Sequence, residues 1–148
     1  MVATDEPTEE DKRRRADRDD AFVWGQQLSC GRLRVLDLDT GGLRTVPGLG
    51  HRHVAELAPR PDGGALAVIS WASPEKDPGV ITNELHVVDP ETGAVHDLGR
   101  IGIEARSPVW WQADGSWRLA YLARPEPVGG HAACDVAVSA RPPLGIAS

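Results

Sequence analysis

The amino-acid sequence predicts an all-β fold made of antiparallel strands, because two hairpin patterns each occur twice. The first pattern is LRVLDLDTGGLRTV at residues 33–46, which returns as LHVVDPETGAVHDL at residues 85–98. Apolar and polar residues alternate in both copies, as in a strand with one buried face. The Thr-Gly pair supplies the positive φ that a tight turn needs. Each copy is therefore predicted to be an antiparallel hairpin.

The second pattern is an Asp-Gly turn between two apolar runs, at residues 56–71 and again at residues 108–123. Asp62 and Asp114 are 52 residues apart, which is also the spacing of the first pattern. An Asp-Gly pair between apolar runs is the strongest short-range hairpin signal. One repeat then contains four antiparallel strands, which is the composition of a β-propeller blade. A β-sandwich that does not close is the alternative.

These repeats predict an incomplete β-propeller of about two and a half four-stranded blades. Residues 1–20 form a charged lead-in, disordered or a short helix, residues 21–138 the partial propeller, and residues 139–148 an off-pattern tail. Three blades are expected, at residues 21–47, 54–98 and 107–138. The first strand of the first blade is expected at residues 21–25.

The predicted strands number ten, arranged as three, four and three, whereas propellers close with about four to eight blades. A blade normally stacks both faces on its neighbours, so an open set leaves faces and edges unpaired. We therefore expect the chain to be a piece of a larger propeller or to be completed by partner chains. Self-association through the open blade faces is a further expectation.

Composition and charge exclude several classes of protein. The net charge is −6 and no basic stripe occurs, which argues against a nucleic-acid partner. No apolar run reaches the roughly eighteen residues of a transmembrane helix, and no apolar N-terminal segment indicates a secretory signal. Cys30 and Cys134 are too few for a disulfide framework and fit no metal finger. We expect a cytoplasmic protein with free thiols and no membrane partner.

Most candidate site residues have a structural interpretation. Four aspartates precede the turn glycines and are predicted to fix those turns by bonding backbone amides: Asp37, Asp62, Asp89 and Asp114. Trp110 and Trp111 are predicted to point to opposite faces of their strand, so that each fills one interface between blades. Trp117 belongs to the same aromatic cluster. Ligand stacking is the alternative for these rings.

The histidines offer the only hint of a metal site. His51 and His53 lie on one side of an extended segment, but no third ligand is near them in sequence. His86 and His96 can pair across one hairpin, although a polar sheet face is the favoured interpretation. The sequence therefore predicts no metal, no cofactor and no cofactor-binding residue.

Two segments resemble a known family. RPDGGALAVIS and WWQADGSWRLAYLA resemble the Asp-Gly repeat of TolB-type propellers and of the N-terminal propeller of prolyl oligopeptidase-family serine peptidases. EEDKRRRADRDDAFVWG, followed by GRLRVLDLDTGGLRTV, resembles the propeller of bacterial dipeptidyl-aminopeptidase or acylaminoacyl-peptidase enzymes. The resemblance covers residues 9–138. It implies a non-catalytic propeller that caps a separate α/β-hydrolase domain and admits only short peptides.

The resemblance also implies a nucleophile in a G-x-S-x-G elbow, which this chain lacks. Ser116 comes nearest but has no flanking glycines at that spacing, and the remaining serines match no better: Ser29, Ser70, Ser73, Ser107 and Ser139. Some relatives hold the substrate's amino terminus with a pair of glutamates. Glu9 and Glu10 match that pair only in composition. No catalytic residue is therefore predicted, and a peptide substrate is expected only within a full-length peptidase. A TolB-like module for protein–protein contact is the alternative.

Overall fold

The computed structural model describes residues 2–5, 9–18, 29–124 and 135–139. These residues form helices α1 (Glu9–Ala16) and α2 (Lys76–Gly79), a 3-10 turn (Pro47–Leu49) and ten strands. The strands are β1 (Val2–Asp5), β2 (Gly31–Leu36), β3 (Leu43–Thr45), β4 (His53–Pro59), β5 (Leu66–Trp71), β6 (Glu84–Val88), β7 (Val95–Arg100), β8 (Ile103–Ala113), β9 (Ser116–Arg124) and β10 (Asp135–Ser139). Within this described part of the chain, no helix is long and apolar enough to cross a membrane.

The strands pair into three antiparallel sheets. The first sheet has the order β1-β2-β3, the central sheet β4-β5-β6-β7 and the third sheet β10-β9-β8. The expected all-β fold of antiparallel hairpins is therefore confirmed. The four strands predicted for the central sheet form within two residues of their expected bounds, because their alternating apolar residues and turn glycines all specify the same pairing.

The first sheet differs from the expectation in its outer strand. The strand predicted at residues 21–25 lies outside the described residues. Instead β1 pairs with β2, in a register that places Val2 opposite Arg34 and Asp5 opposite Gly31. The charged lead-in thus contributes a strand as well as the expected short helix. The four-residue VATD segment carries no local strand pattern, so its pairing is a tertiary effect that propensity does not predict.

The central sheet is buried on both faces. On β5, Leu66 and Val68 pack in a core with residues of the first sheet, whereas Ala67 and Ile69 pack in a core with residues of the third sheet. We call these the first core and the second core. A strand buried on both faces has a continuous apolar sequence, as in the LAVIS segment. Full burial of each aliphatic side chain contributes about 1.5–3 kcal/mol.

Four positions of the first core recur in the second core, one sequence repeat further along the chain. In the first core they are Leu33, Val35, Val46 and Leu49. In the second core they are Leu85, Val87, Leu98 and Ile101. Equivalent residues of the first and central sheets thus face the sheet that follows in the chain. The first and central sheets therefore have the same orientation in the stack.

The two Asp-Gly turns are not equivalent in length, contrary to the exact repeat that the sequence suggests. In the first turn, the Arg60 amide donates to the Ala65 carbonyl over 2.8 Å, which leaves residues 61–64 as the loop. In the second turn, Ala113 pairs directly with Ser116, so Asp-Gly alone forms the turn. The loop of the second hairpin is therefore two residues shorter than the loop of the first.

Equivalent residues of the two hairpins nevertheless face different ways. The pairing register is the same in both, since Pro59 lies opposite Leu66 and Trp111 lies opposite Arg118. Ala67 packs with the third sheet, whereas Leu119, its equivalent in the next repeat, lies on the third sheet and packs back against the central sheet. The face of the third sheet that contacts the central sheet is therefore equivalent in sequence to the face of the central sheet that contacts it.

Candidate functional site

A polar network interrupts the apolar packing of the central sheet where β5 ends and β6 begins. Its members are Arg52, Ser70, Glu84, His86 and Asp97. Ser70 is fully buried, and His86 is only 5% exposed. Polar groups at this depth are stable only when they are hydrogen-bonded or paired with charges.

Strand pairing brings these side chains together. Ser70 on β5 lies opposite Glu84 on β6, and His86 follows two residues later on the same face. On the other side of β6, the register pairs His86 with Asp97 of β7. This pair continues the register set at the turn, and a bulge just beyond it leaves Leu98 without a partner. The glycine after the bulge, Gly99, has a φ of 86° and donates its amide to Asp97 Oδ1 over 2.8 Å.

The cross-strand histidine pair that the sequence allows does not form. His96 lies opposite Val87, so it points to the other face of the hairpin from His86. His86 shares its sheet face with the polar residues Ser70 and Glu84. His96 is exposed, while His86 is buried.

Arg52 organises the buried end of the network. Its Nε donates to Ser70 Oγ over 2.7 Å, and its Nη2 donates to the carbonyl oxygen of Thr82 over 2.6 Å. Its Nη1 lies 3.1 Å from Glu84 Oε1. A planar guanidinium can bond several oxygens at once in this way. Arg52 therefore fixes the positions of both Ser70 and Glu84.

The proton positions at His86 follow from these donors. Because Arg52 Nε can only donate, Ser70 Oγ accepts from it and keeps its own proton for His86 Nε2, 2.7 Å away. The neutral imidazole then carries its proton on Nδ1. Burial lowers the pKa of His86, while the carboxylates of Asp97 and Glu84 raise it and the Arg52 guanidinium lowers it further.

The network has the residue types of a Ser-His-Asp triad but not its geometry. The nucleophile of a triad must reach substrate, and its histidine must be hydrogen-bonded to the aspartate. Ser70 has no exposed surface, and its oxygen is held by Arg52. His86 Nδ1 and Asp97 Oδ1 are 3.5 Å apart, beyond the usual range of a hydrogen bond. This arrangement does not support nucleophilic catalysis at Ser70.

The turn aspartates have the structural role predicted for them. Asp37 Oδ1 accepts the amides of Asp39 and Thr40 over 2.9 and 3.0 Å. Asp89 Oδ1 makes the same two bonds, to the amides of Glu91 and Thr92, over 2.8 and 3.0 Å. The bonds from the threonine amides come first among the causes that lower the pKa of Asp37 and Asp89. The two hairpin turns of the first pattern thus have the same aspartate hydrogen bonds.

The other two aspartates also lie at turns but differ from each other. Asp62 Oδ1 accepts the Gly64 amide over 3.0 Å and the Arg60 Nε over 2.6 Å. The bond from Arg60 is the first cause of the lowered pKa of Asp62. Asp114 instead lies 3.8 Å from Arg118 and has a φ of 52°, as a two-residue hairpin turn requires.

His51 and His53 do not form a metal site with a third ligand within the described residues. His53 Nδ1 accepts the Gly31 amide over 2.9 Å, and its ring lies 5.4 Å from the ring of Trp71. His53 therefore joins β4 to β2. Within the described ranges, the one group of three potential metal ligands is Glu84, His86 and Asp97. Sequence reasoning missed this group because β-strand pairing, rather than sequence spacing, brings it together.

The tryptophans divide between the two faces of the third sheet. Trp110 is 7% exposed in the second core, and its Nε1 donates to the Ala58 carbonyl over 3.0 Å. Trp117 packs against the same core beneath Arg60, whose guanidinium carbon is 5.5 Å from the ring centre. Trp111 lies on the opposite face and is half-buried, beside Val109, which is 55% exposed. The sequence predicted that Trp110 and Trp111 point to opposite faces of their strand. Packing in an interface between sheets is confirmed for Trp110.

Of the two cysteines, only Cys30 lies within the described residues. It is a free thiol, as predicted, with Sγ 3.9 Å from the carbonyl oxygen of His51. Cys134 lies outside the described residues, as does the tail beyond Ser139.

Comparison with protein-family models, with curated proteins and with solved structures found no match for this chain. The stacking of the sheets and the buried polar network are therefore the observations that bear on function.

Proposed function

We propose that this chain is the non-catalytic, substrate-gating propeller portion of a cytoplasmic serine peptidase of the prolyl oligopeptidase type. The observation that carries the proposal is the stacking of the central antiparallel sheet between two others, with equivalent repeat residues of the first and central sheets facing the sheet that follows. A propeller blade packs one face on the preceding blade and the other face on the following one. The central sheet has this environment.

The direction in which equivalent residues of the first and central sheets face supports a propeller over a β-sandwich. In a two-layer sandwich, the inner faces of both sheets share one core, and the outer faces are solvated. Here Leu33 of the first sheet and Leu85 of the central sheet lie in two different cores, each facing the next sheet. Two further bonds join the first strands of adjacent sheets: Ser107 N donates to Glu56 Oε2 over 2.6 Å, and Trp110 Nε1 donates to the Ala58 carbonyl.

The gating role follows from the resemblance together with the chemistry of the described residues. In the prolyl oligopeptidase family, a separate hydrolase domain cuts the peptide and the propeller restricts entry. Ser70 is the serine of the triad-like group in this chain, and it is fully buried. A stack of sheets whose triad-like serine is buried is suited to admit or exclude peptides by size. Peptide hydrolysis then requires the full-length enzyme.

Two experiments test this proposal. Purified chain should not cleave a short chromogenic peptide, and cleavage that co-purifies with the chain and survives removal of contaminating peptidases would contradict it. The coding sequence downstream should continue into a G-x-S-x-G elbow followed by Asp and His, the chain order of the α/β-hydrolase triad. Unrelated coding sequence there would refute the peptidase assignment.

A TolB-like module for protein–protein contact is the second candidate, and the outer faces of the end sheets favour it. Val109 is 55% exposed on the third sheet, and Leu36 and Leu43 are 41% and 50% exposed on the first. Clustered apolar side chains in such positions mark interaction surfaces. Capture of a specific non-peptidase partner by the chain, with 1:1 stoichiometry in light scattering, would favour this function over gating.

A further inference from the structure

We propose that Glu84, His86 and Asp97 form a site for one divalent transition-metal ion of the Zn²⁺ class, with His86 Nδ1 as the central ligand. The three residues lie on adjacent strands β6 and β7, and one potential ligand atom from each lies within 4.8 Å of the other two. This site differs from the sequence expectation of no metal, and it does not depend on the proposed gating function.

The first observation behind the site is the unpartnered nitrogen of His86. The side chain is 6% exposed, and Nδ1 is a buried polar atom with no hydrogen-bond partner. Leaving such an atom without a partner is destabilising. Nδ1 points toward Asp97, whose carboxylate is the nearest group that can act on it. A buried imidazole with one free nitrogen beside carboxylates is a typical metal ligand.

The second observation is the distance between His86 Nδ1 and Asp97 Oδ1, which is 3.5 Å. A hydrogen bond between these atoms has a usual length of about 2.7–3.2 Å. Two ligands of a tetrahedral Zn²⁺, with metal–ligand bonds of about 2.0–2.2 Å, lie about 3.3–3.5 Å apart. The separation is thus long for a hydrogen bond and right for two atoms that share one ion.

Glu84 is held in a position from which it can supply the third protein ligand of the ion. Arg52 occupies Oε1 of Glu84 at 3.1 Å, while Oε2 lies on the side of His86, 3.9 Å from its Nε2. Oε2 is the Glu84 oxygen that Arg52 does not hold and that can serve as a ligand. One nitrogen and two carboxylate oxygens suit Zn²⁺ and its neighbours in the first transition series, because the imidazole disfavours Ca²⁺ and Mg²⁺.

Ser70 supplies the outer hydrogen bond that a metal-bound histidine needs. Histidine ligands usually pass their other ring N–H to a fixed acceptor, which orients the ring. When an ion binds Nδ1, the ring proton moves to Nε2, and Ser70 Oγ, 2.7 Å away, accepts it.

Local charge and access also fit a cation. Glu84 and Asp97 carry two negative charges, and Arg52 supplies one positive charge, so the group has an excess negative charge beside a buried neutral ring. A divalent ion compensates that charge. The Asp97 side chain is 62% exposed, which gives the ion a route from solvent to Nδ1. A water molecule can then occupy the remaining coordination position of the ion.

The test uses the full chain, zinc chloride and cobalt chloride. Calorimetry should find one Zn²⁺ per chain, and Co²⁺ should give the intense visible absorption of a tetrahedral site. Long-range ¹H–¹⁵N spectra of the imidazoles should show that His86 Nδ1 shifts on Zn²⁺ binding. Absence of saturable binding, or a His86 ring that does not respond, would overturn the proposal.

Variants make the assignment specific. Asp97→Asn changes an exposed side chain and should weaken Zn²⁺ binding at least about tenfold, since loss of even an outer hydrogen-bond partner costs about 10–100-fold. Glu84→Gln should also weaken it. His96→Gln is the matched control, because this exposed histidine lies on the same hairpin and faces away from the site. Near-ultraviolet circular dichroism confirms folding of each variant. Binding undiminished in Asp97→Asn, or lost equally in His96→Gln, would refute the site.

Discussion

Ala67 and Leu119 are equivalent positions of the sequence repeat, yet they occupy opposite sides of one core. Ala67 projects from the central sheet toward the third sheet, and Leu119 projects from the third sheet back toward the central one. Strand pairing does not cause the difference, because the register is the same in both hairpins: Pro59 lies opposite Leu66 and Trp111 lies opposite Arg118. The orientation of the third sheet on the central sheet thus sets which residues of this repeat face the core.

The turn of the second Asp-Gly hairpin depends on its glycine. Gly115 has a φ of 71°, in the left-handed region that β-branched residues avoid. Gly115→Val should lower the free energy of unfolding by about 1–2 kcal/mol, the cost of that backbone conformation for a residue with a Cβ. Urea denaturation measures this loss. Gly115→Asn is the control, because Asn tolerates the conformation, and an equal loss in both variants would contradict the explanation.

Trp110 and Trp111 should differ in their contributions to stability. Trp110 donates its Nε1 proton to the Ala58 carbonyl in the second core, whereas Trp111 lies on the other face of β8. Trp110→Phe keeps an aromatic ring but leaves the carbonyl without its donor, so we expect a loss of about 1–3 kcal/mol. Trp111→Phe should cost less than about 0.5 kcal/mol. Equal losses in thermal unfolding would mean that the two rings are not divided between the faces.

The buried His86 should make stability depend on pH. Burial lowers its pKa in the folded chain below the usual 6.5, so between the two values the unfolded chain binds more protons. The contribution of this pKa difference to the free energy of unfolding is fully present above pH 6.5. It is lost as pH falls through the pKa of His86 in the folded chain. His86→Gln should flatten this part of the stability profile. The control His96→Gln should retain it, and a profile that is unchanged in His86→Gln would contradict the assignment.

The turn aspartates should produce a second loss of stability in acid. Backbone amides lower the pKa of Asp37 and Asp89 below the usual 3.8 in the folded chain. Their contribution is therefore present above pH 3.8 and is lost as pH falls through the folded values. Asp37→Asn together with Asp89→Asn keeps an acceptor oxygen but removes the titration. Thermal unfolding between about pH 5 and pH 2, which bracket this range, should show a flatter profile for the double variant than for the parent.

The outer faces of the end sheets should promote self-association. Val109 and Leu43 are exposed apolar residues on the third and first sheets. Val109→Lys and Leu43→Lys place charges on these faces and should shift the chain toward a monomer in size-exclusion chromatography with light scattering. A parent chain that remains monomeric at high concentration would contradict this prediction.

The sequence predicts the hairpins well because local signals agree there. Alternation and Thr-Gly turns specify β6 and β7, and the equivalent turns at Asp37 and Asp89 have the same hydrogen bonds. It does not predict β1, whose pairing is a long-range contact. The polar network is likewise hidden, because the pairing of β6 with both β5 and β7 brings Asp97, His86 and Ser70 together.

Methyl–methyl nuclear Overhauser effects test the stacking of the sheets most directly. The account predicts two separate networks of contacts, one joining Leu33 to Leu66 and Val68, and the other joining Leu85 to Ile69 and Leu119. With selectively labelled Leu, Ile and Val methyl groups, no cross-peak should connect Leu33 with Leu85 or Leu119. Cross-peaks that join Leu33 and Leu85 within one shared core would identify a face-to-face sandwich and contradict the propeller proposal.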